Sequence, residues 1–167
     1  RSGQIDPGVL LYLMEQEGMD ARAISDLLYR ESGLKGLSGI SNDMRTLEAS
    51  EEAAAGEAIA YFAHRIRRET GALAAVLGGL DALVFTGGIG ENSALVRSLA
   101  TIGMEWVGIE LDAMANEGNA AEIGRGRVRV MVIPANEEII IARAVAGFLD
   151  PSSGDAVEIQ GLAFPAE

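Results

Sequence analysis

Apolar residues at Val9, Leu10, Leu13 and Met14, and again at Ile24, Leu27 and Leu28, recur at the three-to-four spacing of a helix face. Asp6-Pro7 and Asp20 stand where helix caps belong, and Gly18 and Ser32-Gly33 where helices stop, which predicts a helical hairpin. The stretch from Gly33 to Arg45 is punctuated by glycine and reads as a connector whose Asp43 caps the next helix. A long helix follows from about Thr46 to Leu77. Ile59, Phe62, Ile66, Leu73 and Leu77 form its inner stripe, with Arg65, Arg67 and Arg68 on its wet side. At Leu83 to Phe85 the pattern becomes continuously apolar, which predicts a short buried strand. Thr86, Gly87, Gly88 and Gly90 then predict a tight loop, and Asn92 or Ser93 the cap of a helix with Leu95, Val96, Leu99 and Ile102 inward. Trp106 to Leu111 reads as a short strand, with Trp106 as a core or interface anchor, and Asp112 to Gly126 as a surface excursion. Arg127 to Ile133 alternates and then turns apolar, as a strand passing into the interior does. Asn136 caps a last helix from Glu137 to about Phe148. These elements predict an α/β fold, helix-rich with a short central sheet.

The 167 residues, 49% of them hydrophobic, suffice for one ordinary core. A formal charge of -12 argues against a nucleic acid partner, whose phosphates demand a positive surface. It leaves room for a small nucleotide neutralised locally by backbone amides and a bridging cation. With no cysteine in the chain, disulfides, cysteine metal sites and thiol nucleophiles are excluded. No apolar run is long enough to span a membrane and no stretch reads as a signal peptide, so a cytoplasmic location is expected. The abrupt start at Arg1 suggests a piece of a longer chain.

Candidate chemistry concentrates in LVFTGGIGENS, residues 83–93. Missing side chains at Gly87, Gly88 and Gly90 allow a flat or charged ligand to reach the main chain, and free amides at a helix start favour an anion. A nucleotide offers both, although the same string also reads as a plain strand-to-helix turn. It lacks the third glycine of a dinucleotide fingerprint, and no GKS or GKT string exists for a Walker loop. Glu137 and Glu138 open a helix just beyond a buried strand. Taken alone they read as compensation of the helix dipole, and otherwise as a carboxylate facing a cation. His64, the one histidine, reads as a solvated or half-buried helix residue.

Three segments in this order, SGLKGLSGISNDMR, DALVFTGGIGENSALVR and VIPANEEIIIAR, together with RSGQIDP at the start, resemble the acetate kinases. The resemblance runs from Arg1 to about Ala146 and covers the carboxyl-terminal part of that family, less than half of a full-length enzyme. It implies part of an RNase H-like domain of the actin-like ATPase architecture, with residues 1–149 as an incomplete nucleotide-binding domain and 150–167 as a loose tail. It further implies phosphoryl transfer between ATP and acetate with Mg2+, giving acetyl phosphate and ADP, and a homodimer formed through this part. Carried over residue by residue, Asp43, Met44 and Arg45 border the adenosine. Gly88, Ile89, Gly90, Glu91 and Asn92 form the adenosine loop. Glu137 holds the Mg2+ shell, and Arg1 neutralises the carboxyl or phosphoryl group in flight.

Two positions depart from the family pattern: Ala135 stands where a threonine is usual, and Gln4 where an acidic residue is common. The family's amino-terminal domain, with its catalytic histidine and aspartate, has no counterpart in this chain, and His64 falls on no catalytic motif. The expectation is therefore a nucleotide-side portion that does not turn over alone. Two other readings stand beside it: a noncatalytic dimerisation or regulatory module of the same fold, and part of a propionate or butyrate kinase.

Overall fold

The computed structural model describes residues 2–136 together with 138, 139, 142 and 145. The chain divides into two compact units, Arg1–Ile133 and Pro134–Glu167. In the second, the Asn136 side chain accepts a hydrogen bond from the Ile139 backbone N–H at 3.0 Å, the expected capping arrangement. Arg1, Glu137, most of the helix expected after it, and the tail 150–167 lie outside the described residues.

The first unit begins with the helical hairpin, α1 (Pro7–Glu15) and α2 (Ala21–Arg30). Asp6 accepts from Gly8 N at 2.6 Å and Asp20 from Ala23 N at 2.8 Å, so both predicted caps form. The expected connector contains a helical turn, α3 (Leu34–Ser38). The predicted long helix is two pieces, α4 (Met44–Glu48) and the 25-residue α5 (Ala53–Leu77). Its inner face also differs from expectation. The residues buried on α5 are Ala55, Ala58, Ile59, Ala63 and Ala74, whereas Leu73 and Leu77 are 59% and 70% exposed. Small side chains on that face let α3, α4 and α7 (Ala94–Thr101) pack closely against it. The arginines of α5 are less solvated than predicted: Arg65 bonds Gln4 Oε1 at 2.8 Å and Arg67 bonds the Ile102 carbonyl at 3.0 Å. His64 is exposed, as expected.

The sheet is β1 (Ala82–Phe85) and β2 (Arg129–Val132), paired in parallel with Leu83 opposite Val130 and Phe85 opposite Val132. Parallel neighbours require a crossover, and here the crossover carries α6 (Gly87–Asn92), α7, a 3-10 turn at Glu105–Val107 and α8 (Ala113–Glu117). The strand predicted at Trp106 to Leu111 does not form, and Trp106 is 69% exposed. Asp112 to Gly126 is mostly exposed, as expected, but it is anchored at Asn116 and Ile123, which are buried, and the Ile123 N–H bonds Val130 O at 2.8 Å along the outer side of β2. Among the described residues β1 pairs with β2 alone, so its other edge has no partner strand. Beneath the sheet lies one apolar cluster built on Phe85, Met104, Ile109, Val128, Val130 and Val132. A second, built on Met44, Leu47, Ala58, Ile59 and Val96, lies between α4, α5 and α7.

Candidate functional site

The predicted glycine loop is itself helical. Three glycines give a six-residue segment low intrinsic helix propensity, so α6 depends on side-chain bonds to its backbone. The Glu91 carboxylate reaches back to the Gly87 N–H at 2.7 Å, and Asn92 Nδ2 donates to the Gly88 carbonyl at 2.8 Å. Gly87 has φ of +72°, a conformation glycine adopts without penalty. The helix ends at Ser93, whose hydroxyl accepts from Val96 N at 3.0 Å and so caps α7.

Behind α6 lies a group that sequence reasoning did not single out. Arg97 is 1% exposed. Its Nη1 donates to the carbonyls of Gly90 (2.9 Å) and Glu91 (3.0 Å). Its Nε donates to Asn116 Oδ1 (2.7 Å) and its Nη2 to the Asn116 carbonyl (2.8 Å). Burial pushes the guanidinium below its ordinary pKa, but arginine stays charged in proteins, and carbonyls at a helix C-terminus suit a cation. Asn116, also buried, passes the connection to Ala94 O and Ser98 Oγ, both at 2.9 Å.

In front of α6 is a cleft of about 640 Å³, lined by Asn42, Asp43, Met44, Arg45 and Glu48 from one segment and Gly88, Ile89, Asn92 and Ser93 from the other. Of the eight residues expected to contact a nucleotide, the structure brings Asp43, Met44, Arg45, Gly88, Ile89 and Asn92 to this one cleft. Gly90 and Glu91 are not among its lining: Gly90 faces Phe85, and the Glu91 carboxylate occupies the Gly87 amide. That amide is thereby withdrawn from the set expected to receive an anion. Met44 is buried and Ile89 half-buried, giving the cleft an apolar floor. A Cβ on Gly88 would meet nothing within 4 Å, so this position is open space.

Asp43 caps α4 through Arg45 N at 3.0 Å and also pairs with the Arg45 guanidinium, at 3.2 Å to Nε and 2.7 Å to Nη2. The side-chain bond from Arg45, and then the backbone bond, hold the Asp43 carboxyl below its usual pKa. The Arg45 side chain is 88% exposed, so this pair contributes little to stability. Its folded pKa being depressed, the small contribution is present above the unfolded aspartate pKa and is lost as pH falls through the folded one. An NMR titration of the Asp43 carboxyl carbon is expected to give a midpoint below the unfolded aspartate value, and Arg45→Ala to raise it part of the way back, since the backbone bond from residue 45 remains. Among the described residues no three His, Cys, Asp or Glu side chains are grouped to hold a cation. Glu137 lies outside those residues, so no step is derived through a metal.

The described structure superposes on acetate kinase of Porphyromonas gingivalis with a TM-score of 0.81 and 42% identity, covering 90% of this chain and 40% of that one. It superposes on a propionate kinase of Francisella tularensis with a TM-score of 0.77 and 36% identity, covering 85% and 38%. The fold is thus part of an actin-like ATPase-type fold. A profile of the acetokinase family matches residues 1–143. Acetate kinase of Methylocella silvestris is 60% identical over 152 residues, 90% of this chain and 38% of its own length. The chain belongs to the acetokinase family, and it spans about two fifths of the length of the relatives it matches.

Proposed function

We propose that this chain is the nucleotide-side portion of an acetate kinase, and that its cleft receives the adenosine part of ATP or ADP. The observation carrying this reading is that six residues from two distant segments meet around one open, apolar-floored space, of a size usual for small-ligand pockets. Asp43, Met44 and Arg45 border the adenosine on one side, with Gly88, Ile89 and Asn92 on the other. Gly90 and Glu91 act from behind, by holding the shape of α6. In the complete enzyme a carboxylate oxygen of acetate attacks the terminal phosphorus of ATP, and the bond to ADP breaks. Arg1 neutralises charge at the group in flight. Glu137 would hold the shell of Mg2+, which when bound would screen the phosphate charge.

One side of a transfer site orients one reactant, so the chain by itself is expected to bind nucleotide without turnover. Self-association through the exposed apolar end of α5 (Leu73, Val76, Leu77) is the associated proposal for the dimer. A short-chain carboxylate other than acetate remains a second reading, supported by the likeness to a propionate kinase.

Thermal denaturation with Mg-ATP and Mg-ADP tests the site. Bound ligand at a hundred times its Kd stabilises by about 2.7 kcal/mol, so a clear rise in Tm is expected. A Cβ at Gly88 meets nothing within 4 Å, so Gly88→Val adds its bulk at the wall of the cleft. It should change ligand-free stability by less than about 1 kcal/mol yet abolish the rise. No rise in either protein would favour a noncatalytic module of this fold.

A further inference from the structure

The two walls of the cleft come from chain segments far apart, and each is too short to hold its own position. α4 has five residues and α6 six, well below the length at which a helix is stable in isolation. Met44 and Leu47 anchor α4 from below by burying their side chains. The walls are joined directly by the Ser93 hydroxyl, at the junction of α6 and α7, which donates to the Glu48 carboxylate at the end of α4.

We propose that Glu48 is a positioning residue, which sets the gap between the cleft walls by tying α4 to the α6–α7 junction through Ser93. The inference rests on the reading of the cleft as an adenine nucleotide site and names a residue that this reading leaves unassigned. Ser93 is 5% exposed, and its hydroxyl proton goes to Glu48 while its oxygen accepts from Val96 N. Both capacities are used, so the hydroxyl is fixed in direction. Removing Glu48 takes away the acceptor of a part-buried O–H. Glu48 is exposed and Ser93 lines the cleft, so water can take the acceptor's place, but water does not hold α4 to the junction, and α4 is released. Because α4 is a single closed turn, with Ala49 N bonded to Arg45 O at 3.1 Å, movement at Glu48 carries Asp43, Met44 and Arg45 with it. The tie therefore acts on the positions of Asp43, Met44 and Arg45, beyond the share of the cleft lining that Glu48 and Ser93 themselves supply.

Two variants separate this role from alternatives. Glu48→Ala removes the acceptor, while Glu48→Gln keeps an oxygen acceptor and loses the charge. Without ligand, hydrogen exchange of the α4 amides should quicken about tenfold in Glu48→Ala, the equivalent of about 1.4 kcal/mol, and stay near the unaltered rate in Glu48→Gln. Calorimetric titration with Mg-ADP should show Kd raised about tenfold by Glu48→Ala and restored by Glu48→Gln. Val128→Ala, in the other apolar cluster, should lower Tm while leaving Kd unchanged, which a merely structural effect of Glu48→Ala would not allow. Unchanged α4 exchange in Glu48→Ala, or a Glu48→Gln variant as impaired as Glu48→Ala, overturns the proposal. If the unaltered chain takes up no Mg-ADP, the nucleotide reading falls and the exchange measurement decides the tie alone.

Discussion

Replacing Arg97 by Met is expected to lower the stability of the first unit by about 3 kcal/mol or more, read as a fall in the urea midpoint at constant m. The guanidinium is the donor for four acceptors, the carbonyls of Gly90, Glu91 and Asn116 and the Asn116 side-chain oxygen. A methionine of similar reach fills the space and leaves all four without it. The Asn116 carbonyl keeps a bond from Asn119 N at 3.2 Å, so the loss falls on the buried Asn116 Oδ1 and the partly buried Gly90 and Glu91 carbonyls, at about 1–3 kcal/mol for each acceptor left unpaired. That loss is partly offset because a cation no longer has to be buried. Domains of this size are stable by only about 5–15 kcal/mol, so the net loss is a large share of the total. Arg97→Lys should fall between: the charge is kept, but a compact ammonium lacks the planar fork that reaches Asn116 and α6 together. A loss under about 1 kcal/mol in Arg97→Met would mean that the connection is ornamental.

Gly126→Ala is expected to cost about 3 kcal/mol by another route. A Cβ there would lie 2.5 Å from the Gly108 carbonyl oxygen and 3.0 Å from Glu110 N. Both are main-chain atoms, so no side chain can swing away. The Gly108 oxygen also accepts from Val128 N at 2.8 Å, and Glu110 O accepts from Arg125 N at 2.9 Å. Backing off would therefore break the bonds that place the segment leading into β2, and crowding of this kind usually costs about 1–3 kcal/mol. Gly71→Ala provides the contrast. Nothing lies within 4 Å of its added Cβ in the interior of α5, so it should be stabilising by up to about 1 kcal/mol. Chemical denaturation of the two variants in parallel checks both values, and equal stabilities would overturn the argument from close approach.

How much of this could be read from the chain varies with the kind of signal. Caps were legible because they are local: Asp6, Asp20, Asp43 and Ser93 all accept from amides within three residues. β1 was legible as a strand from three consecutive apolar residues, but not as a buried one: Phe85 alone of its four residues is buried, and Val84 is 44% exposed. The helical state of α6 was not, because glycines argue against it and the bonds that enforce it depend on Glu91, Asn92 and the distant-acting Arg97. The face of α7 was also misread. Leu95 and Ile102, expected inward, are 47% and 59% exposed, while Arg97 and Thr101 are buried. Hydrophobicity ranks an arginine last for the interior. The available signal was size: Ser93, Ala100 and Thr101, at -4, +3 and +4 from Arg97, line its face with small side chains and leave room for a long one. The break between α4 and α5 escaped notice because SEEAAA continues helix-favouring composition through Ser50 to Ala55. As for the site, the segments around Asp43 and Gly88 were legible as strings, but their meeting across one space was not.

That meeting has a consequence for how recognition arises. Glu48 and Ser93 are 45 positions apart, and the whole of α5 and β1 must be in place before they face each other. Neither half of the cavity exists as a local motif that could seize a ligand early and template the remainder. Capacity to bind should therefore emerge late and all at once, as the closing event of loop formation over that span, and any lesion in the intervening helix that slows closure would delay it equally.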